Sequence, residues 1–194
     1  MIRVVAIASL VVFPLFLLSG CGGNSTATPS STAQTPSVAL DPSLVLKEEP
    51  AGAKNVAEVR EKGKDGEELV VAGWIAGSEE PIINGRAAFT MVDLQLPPPE
   101  CTTKPYSYCC MPKEALLPNL VMVKFVDGEG KTILKDAHGL LGIKEGDIVV
   151  VRGRVACSEE GKVNSIVASA LFVRGHSDNP AKLSVFDTGL PSSK

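Results

Sequence analysis

An alternation of apolar and polar side chains in the second half of the chain places the tightest limit on its fold. Residues 147–157 put three valines on one side and Arg152 and Arg154 on the other. A period of two is typical of a β-strand with one buried face. The turn pair Glu160-Gly161 then predicts a hairpin into a last strand over residues 163–174. This segment therefore predicts two antiparallel strands that share a core.

Similar strand patterns occur upstream. They cover residues 68–76, 87–93, 120–126 and 131–135, and they are joined by a predicted helix over residues 54–62 and a short connecting segment over residues 137–142. Trp74 lies on the outer side of the first of these strands, and we expect it to pack under the helix. Five principal strands in one small domain indicate a closed β-barrel. A β-sandwich is the alternative, because a single sequence does not give the strand order.

Residues 146–153 read Gly-Asp-Ile-Val-Val-Val-Arg-Gly, the pattern of a strand that follows a turn and bends at a glycine. Together with the strand spacing over residues 67–174, this run resembles OB-folds. The resemblance implies a mainly β protein in which a short N-terminal helix precedes a small five-stranded OB-like barrel.

The N-terminus has the order of an export signal. Arg3 precedes an apolar run that Pro14 interrupts, and the run closes with Leu18-Ser19-Gly20-Cys21. The run is shorter than the roughly 20 apolar residues that a membrane-spanning helix needs. The closing sequence resembles the lipobox of bacterial lipoprotein signal peptides. The resemblance implies cleavage before Cys21, a diacylglyceryl group on its sulfur and an acylated amino terminus.

This resemblance also predicts where the protein resides and how the chain is divided. Gly22 stands where an inner-membrane retention signal would place Asp, so we expect a lipid anchor in the outer membrane, on its periplasmic or surface face. Four segments are predicted: a signal peptide (1–20), a lipidated Ser/Thr/Pro-rich tether (21–50), the barrel (51–176) and a flexible C-terminal tail (177–194). As a flexible coil, the tether would span roughly 30 Å.

The charge of the chain argues against nucleic-acid binding. Removal of the leader takes away one basic residue, Arg3, and changes the formal net charge from −3 to −4. A mildly acidic chain gains nothing from counterion release on a phosphate backbone. The expected partners are the lipid bilayer, through acylated Cys21, and an envelope protein.

Four cysteines remain besides Cys21. Cys101, Cys109 and Cys110 lie in the long segment between the second and third strands, and Cys157 ends a later strand. Export to an oxidising compartment favours two disulfides, one each from Cys109 and Cys110 to Cys101 and Cys157. The alternatives are a copper or zinc site, or a redox site, built from the same four thiolates, and ordinary unpaired thiols.

Two further sets of residues are candidate binding groups. His176 follows the last strand, a position similar to that of the haem-attaching histidine in the periplasmic haem chaperone of cytochrome c maturation. Lys124, Arg152 and Arg154 are predicted to form a basic stripe on the barrel exterior. The chain carries no nucleophile-elbow, phosphate-loop or zinc-protease motif. We therefore expect a binding or structural module with no catalytic residues, not an enzyme.

Overall fold

The computed structural model describes residues 43–97, 99 and 104–177. The predictions for the leader, Cys21, Cys101 and residues 178–194 lie outside this range. In chain order the elements are β1 (Lys54–Asn55), α1 (Val56–Lys62), β2 (Glu68–Ile75), β3 (Ala88–Val92), α2 (Lys113–Leu116), a 3-10 turn (Leu117–Asn119), β4 (Leu120–Phe125), α3 (Ala137–Leu141), β5 (Asp147–Cys157) and β6 (Val163–His176).

The strands form one sheet that closes on itself. Their order is β1-β2-β3-β4-β6-β5, and β2 also pairs with β5 over residues 68–74. Because β1 only adds two residues beside β2, the closed part has five strands. The closure confirms the predicted OB-like barrel and excludes the β-sandwich, which needs two separate sheets.

The core follows from the alternation in the strands. In β5, Val149, Val151 and Val155 are buried, whereas Arg152 and Arg154 are exposed. Aliphatic side chains fill most of the interior together with Phe89 of β3 and Phe125 of β4, which are at most 1% exposed. Burial of each such side chain contributes roughly 1.5–3 kcal/mol, so the barrel interior is the main source of stability. No helix in the described part of the chain has the length and apolar character that crossing a bilayer requires.

The strand predicted over residues 131–135 is reduced to one bridge, between Val126 and Thr132. Asp127 closes a tight turn, because its carboxylate accepts hydrogen bonds from the backbone N–H groups of Glu129 and Lys131. Ile133 then packs, partly buried, against the barrel core and donates its N–H to Phe125 O over 3.0 Å. The next residue, Leu134, is 75% exposed. An exposed residue gains little from further strand pairing, so the pairing ends there.

The barrel also includes residues that the sequence pattern assigned to the tether. Leu171 of β6 donates its N–H to Leu44 O over 2.9 Å, and its carbonyl accepts from Leu46 N over 2.7 Å. Glu49 forms an ion pair with Arg174. The chain therefore joins the barrel alongside β6, before the predicted domain boundary at residue 51.

Candidate functional site

The sheet register brings the predicted basic residues onto one outer face. Lys124 of β4 and Arg154 of β5 both pair with Val167 of β6, and Glu68 of β2 pairs with Arg154. These residues thus form a row across four neighbouring strands, in which Lys124 and Arg154 are two strand spacings, about 10 Å, apart. Arg152 lies two residues before Arg154 and is also exposed.

A concavity of 360 Å³ lies along this row, between the two arginines. Its polar lining includes Arg152, Arg154 and Ser169, and its apolar lining includes Leu44 and Phe125. Leu44 could not be predicted to line this surface, because its backbone pairing with β6 depends on the folded barrel. Leu44 belongs to the segment that carries the predicted tether into the barrel, so this surface lies where the tether arrives.

The charges of this concavity are only partly neutralised. Arg154 Nη2 lies 3.0 Å from Glu68 Oε1, and both side chains are more than half exposed. An exposed pair of this kind contributes roughly 0–1 kcal/mol to stability. Within the described residues, Arg152 makes no ion pair. The surface therefore carries uncompensated positive charge, although the chain as a whole is acidic.

A second candidate surface is built by the described residues of the loop between β3 and β4 (93–97, 99 and 104–119), which includes α2 and the 3-10 turn. It packs on the outer side of the barrel, where Trp74, Tyr108, Leu116 and Ile148 form a buried apolar cluster. Trp74 was expected to pack under the N-terminal helix, and this prediction is wrong. Helix α1 instead contributes Val56 and Val59 to the barrel core.

Contacts near Tyr106 hold this loop to the barrel end. Gly77 donates its N–H to Tyr106 O over 2.9 Å, and the Tyr106 hydroxyl donates to Ser177 O over 3.3 Å. Gly146 has a φ of +81°, and a Cβ on it would collide with the Tyr106 ring. A glycine is therefore needed here both for the left-handed backbone and for the close approach of the ring.

Asp93 fixes the other end of the loop. Its carboxylate accepts hydrogen bonds from Ala57 N and Gln95 N, each over 2.8 Å, and the residue is 2% exposed. Ala57 is in the first turn of α1, whose own N-cap residue, Asn55, makes no side-chain capping bond. Asp93 thus caps the helix from a distant part of the chain, where an anionic group is favoured. In the sequence, the only sign of this capping role was that Asp93 is a single acidic residue directly after an apolar strand.

Tyr108 of this loop is buried against the outer side of the barrel. Its hydroxyl and the Trp74 indole N–H make no hydrogen bond within the described residues. Burial, and secondly the charge of Asp93, raise the pKa of Tyr108 well above its usual range. Beside it, Pro97, Met111 and Cys110 line a cleft of 230 Å³.

The structure does not show the predicted pair of disulfides. Cys110 and Cys157 form no disulfide within the described part of the chain. Cys157 packs against the barrel core at the end of β5, whereas Cys110 is exposed beside the loop cleft. Of these two residues, only Cys157 packs against an apolar cluster, so the fold does not bring the two thiols together. Two bridges would require all four cysteines, and the prediction is corrected accordingly.

The sulfurs of Cys109 and Cys110 lie 3.6 Å apart. Zinc sites in proteins use three or four protein ligands. Among the described residues, no group of three or more His, Cys, Asp or Glu side chains is placed to hold a metal ion. Because Cys101 lies outside the described range, copper or zinc binding stays a prediction.

His176 ends β6 beside the start of β5. Its Nδ1 lies 2.8 Å from Asp147 Oδ1, and the Asp147 side chain is 3% exposed. Asp147 also accepts a hydrogen bond from Lys144 N over 2.8 Å. These contacts give His176 a structural role in joining the two strand ends. Haem attachment at this residue stays a prediction.

Comparison with known proteins adds little to this geometry. No family model matches the chain, and no curated protein matches it. A solved structure described as "OBody AM1L10 bound to hen egg-white lysozyme" is similar, with 18% sequence identity, 68% of this chain and 100% of that chain covered, and a TM-score of 0.41. The fold assignment depends on the strand order and closure of the barrel.

Proposed function

We propose that this protein is a membrane-anchored extracytoplasmic lipoprotein whose barrel binds a partner in the cell envelope. The lipobox-like sequence that ends in Cys21 supports the anchor. The observation that carries the binding role is the concavity between Arg152 and Arg154, because it combines shape with positive charge that is only partly compensated.

The anchor and the barrel have separate tasks in this proposal. Acyl chains on Cys21 hold the chain to the bilayer, since each buried CH₂ contributes about 0.8 kcal/mol. The tether lets the barrel move close to the membrane surface. The basic outer face then meets its partner, and the apolar barrel interior keeps Lys124, Arg152 and Arg154 at fixed spacings.

The loop over Trp74 is held to the barrel by hydrogen bonds in our proposal, without a disulfide. Asp93 ties one end of the loop to α1, and Tyr106 ties its middle to Gly77 and Ser177. We assign the protein a binding role and no catalytic step, because its sequence carries no nucleophile-elbow, phosphate-loop or zinc-protease motif.

Site-specific photo-crosslinking in cells tests the binding role. A photoreactive residue in place of Val167, a partly exposed residue that lines the concavity, leaves both arginines intact and is expected to give a discrete adduct. The adduct is expected to disappear when Arg154→Glu reverses the charge beside it. Arg86 is the control position, because it is exposed on a different surface. Equal adducts from positions 167 and 86, or an adduct that survives Arg154→Glu, would contradict the proposal.

A further inference from the structure

The concavity on the basic face has the chemistry of a phosphate site. Two guanidinium groups, from Arg152 and Arg154, line the same 360 Å³ space. A guanidinium presents several N–H donors in a planar fork that matches the oxygens of a phosphate group. Arg152 makes no ion pair within the described residues, so its donors are available to an incoming anion.

A bulge in the sheet sets the spacing of the two arginines. The register shifts between Arg152, which pairs with Ala170, and Gly153, which pairs with Ala168. A Cβ on Gly153 would lie 2.6 Å from Val167 O, so only glycine fits this backbone approach. A bulge bends its strand and redirects the side chains beside it.

Ser169 is the extra residue on β6 opposite this bulge. Its hydroxyl donates to Arg152 O over 3.2 Å and ties the backbone of Arg152 to β6. Two strands thus fix the backbone of Arg152. This lowers the entropy cost of presenting its guanidinium group to a ligand.

The surroundings favour an anion over a cation. Leu44 and Phe125 contribute apolar wall, and charge interactions strengthen where apolar atoms exclude water. Lys124 lies in the same register row as Arg154. Among the described residues that line this space, Glu68 is the acidic one, and it already forms an ion pair with Arg154.

We propose that the concavity formed by Arg152, Arg154 and Ser169 is a phosphate site that binds the phosphate group of an envelope component. This inference rests on the proposed binding role of the barrel and adds the chemical class of the partner. Because Leu44 lines the site and the predicted tether joins the barrel there, a phosphate at the membrane surface is within reach.

Titration with inorganic phosphate tests the site directly. The chain from residue 22 onward retains every residue of the closed barrel and lacks the acylation site. At constant ionic strength, phosphate up to the order of tens of millimolar is expected to give saturable NMR shifts at the backbone amides of residues 152–154 and 169. The Arg152→Gln variant is expected to bind about tenfold more weakly, because it loses charged hydrogen bonds.

Two further variants separate geometry from charge. Arg152→Lys keeps the charge without the planar fork, so an intermediate affinity is expected. Arg86→Gln removes the same charge from another surface and is expected to bind phosphate as the unchanged chain does. The absence of saturable shifts, or equal weakening by Arg152→Gln and Arg86→Gln, would overturn the proposed site.

Vesicles identify the source of the phosphate. Binding to phosphatidylglycerol vesicles that inorganic phosphate competes away, and that Arg152→Gln weakens, supports the site and identifies a lipid headgroup. Phosphate binding without vesicle binding supports the site and identifies a non-lipid phosphoester. Failure of the phosphate titration leaves the anchor at Cys21 and the crosslinking experiment intact, so the two proposals fail separately.

Discussion

Asp93 joins the start of α1 to the long loop through one buried carboxylate that accepts two backbone hydrogen bonds. Replacement by alanine leaves both N–H groups without their acceptor. We expect Asp93→Ala to lower the free energy of unfolding in urea by about 2 kcal/mol. Glu61→Ala, an exposed acid on the same helix, should change it by less than about 0.5 kcal/mol. Similar small losses in both variants would show that Asp93 is no cap.

Tyr108 predicts a pH dependence of stability. Its pKa is raised in the folded protein, so above about pH 10 the unfolded chain loses the phenolic proton while the folded chain keeps it. Stability contributed by the neutral phenol is therefore present below pH 10 and is lost as pH rises. Tyr108→Phe should remove this part of the alkaline loss.

Urea unfolding of the unchanged chain and of Tyr108→Phe, at pH 8 and at about pH 10.5, measures this effect. The other titrating groups are the same in both proteins, so their contribution cancels in the difference. At pH 8 the Tyr108→Phe variant should be at least as stable as the unchanged chain, because the hydroxyl has no hydrogen-bond partner within the described residues. A stability difference that does not change with pH would contradict the assignment.

The sequence could not predict how the cysteines would be placed. Alternation located Cys157 on an inward-facing strand, and the structure packs it against the core as expected of that pattern. The position of Cys110 depends on how the loop crosses the barrel, and no local pattern records that path. Export favours disulfides in general, but it does not bring two particular thiols to the required distance.

At the scale of elements, the loop over Trp74 depends on Gly146. Gly146→Ala would strain a left-handed backbone and push a methyl group into the Tyr106 ring. Gly85 is a matched control, since its φ is +67° and nothing lies within 4 Å of an added Cβ. Gly85→Ala should cost about 1–2 kcal/mol, and Gly146→Ala should cost clearly more.

Trp74 is the single tryptophan of the chain, and it lies beneath this loop. Its fluorescence should therefore shift to longer wavelength in Gly146→Ala and stay unchanged in Gly85→Ala. Equal stability losses with no spectral change would show that the close contact with Tyr106 does not hold the loop in place.

The elements with one buried face were predictable from the sequence. For β5, the alternation of valines with Arg152 and Arg154 gave the element, its bounds and its outer face. The strand predicted over residues 131–135 is wrong beyond one bridge, because Ile133 packs against the core but Leu134 is exposed. The element that covers Trp74 could not be predicted. The outer face of β2 is apolar, and both α1 and the loop were able to pack on it.

For the whole molecule, closure of the barrel gives the chain a rigid outer surface. The basic face depends on the register of three strands, because Lys124 of β4 and Arg154 of β5 both pair with Val167 of β6. The sequence predicted that these residues lie on the outside. The sequence could not predict the concavity, because its shape also depends on the bulge at Gly153 and on the backbone hydrogen bond between Leu44 and β6.

The lipid anchor that we propose at Cys21 is tested by the mass of the intact protein purified from bacterial membranes. We expect a chain that lacks residues 1–20 and carries acyl mass on Cys21, and a Cys21→Ala variant without that mass. A membrane-bound chain that retains Met1, or one cut elsewhere with no acyl mass, would show that this anchor does not form.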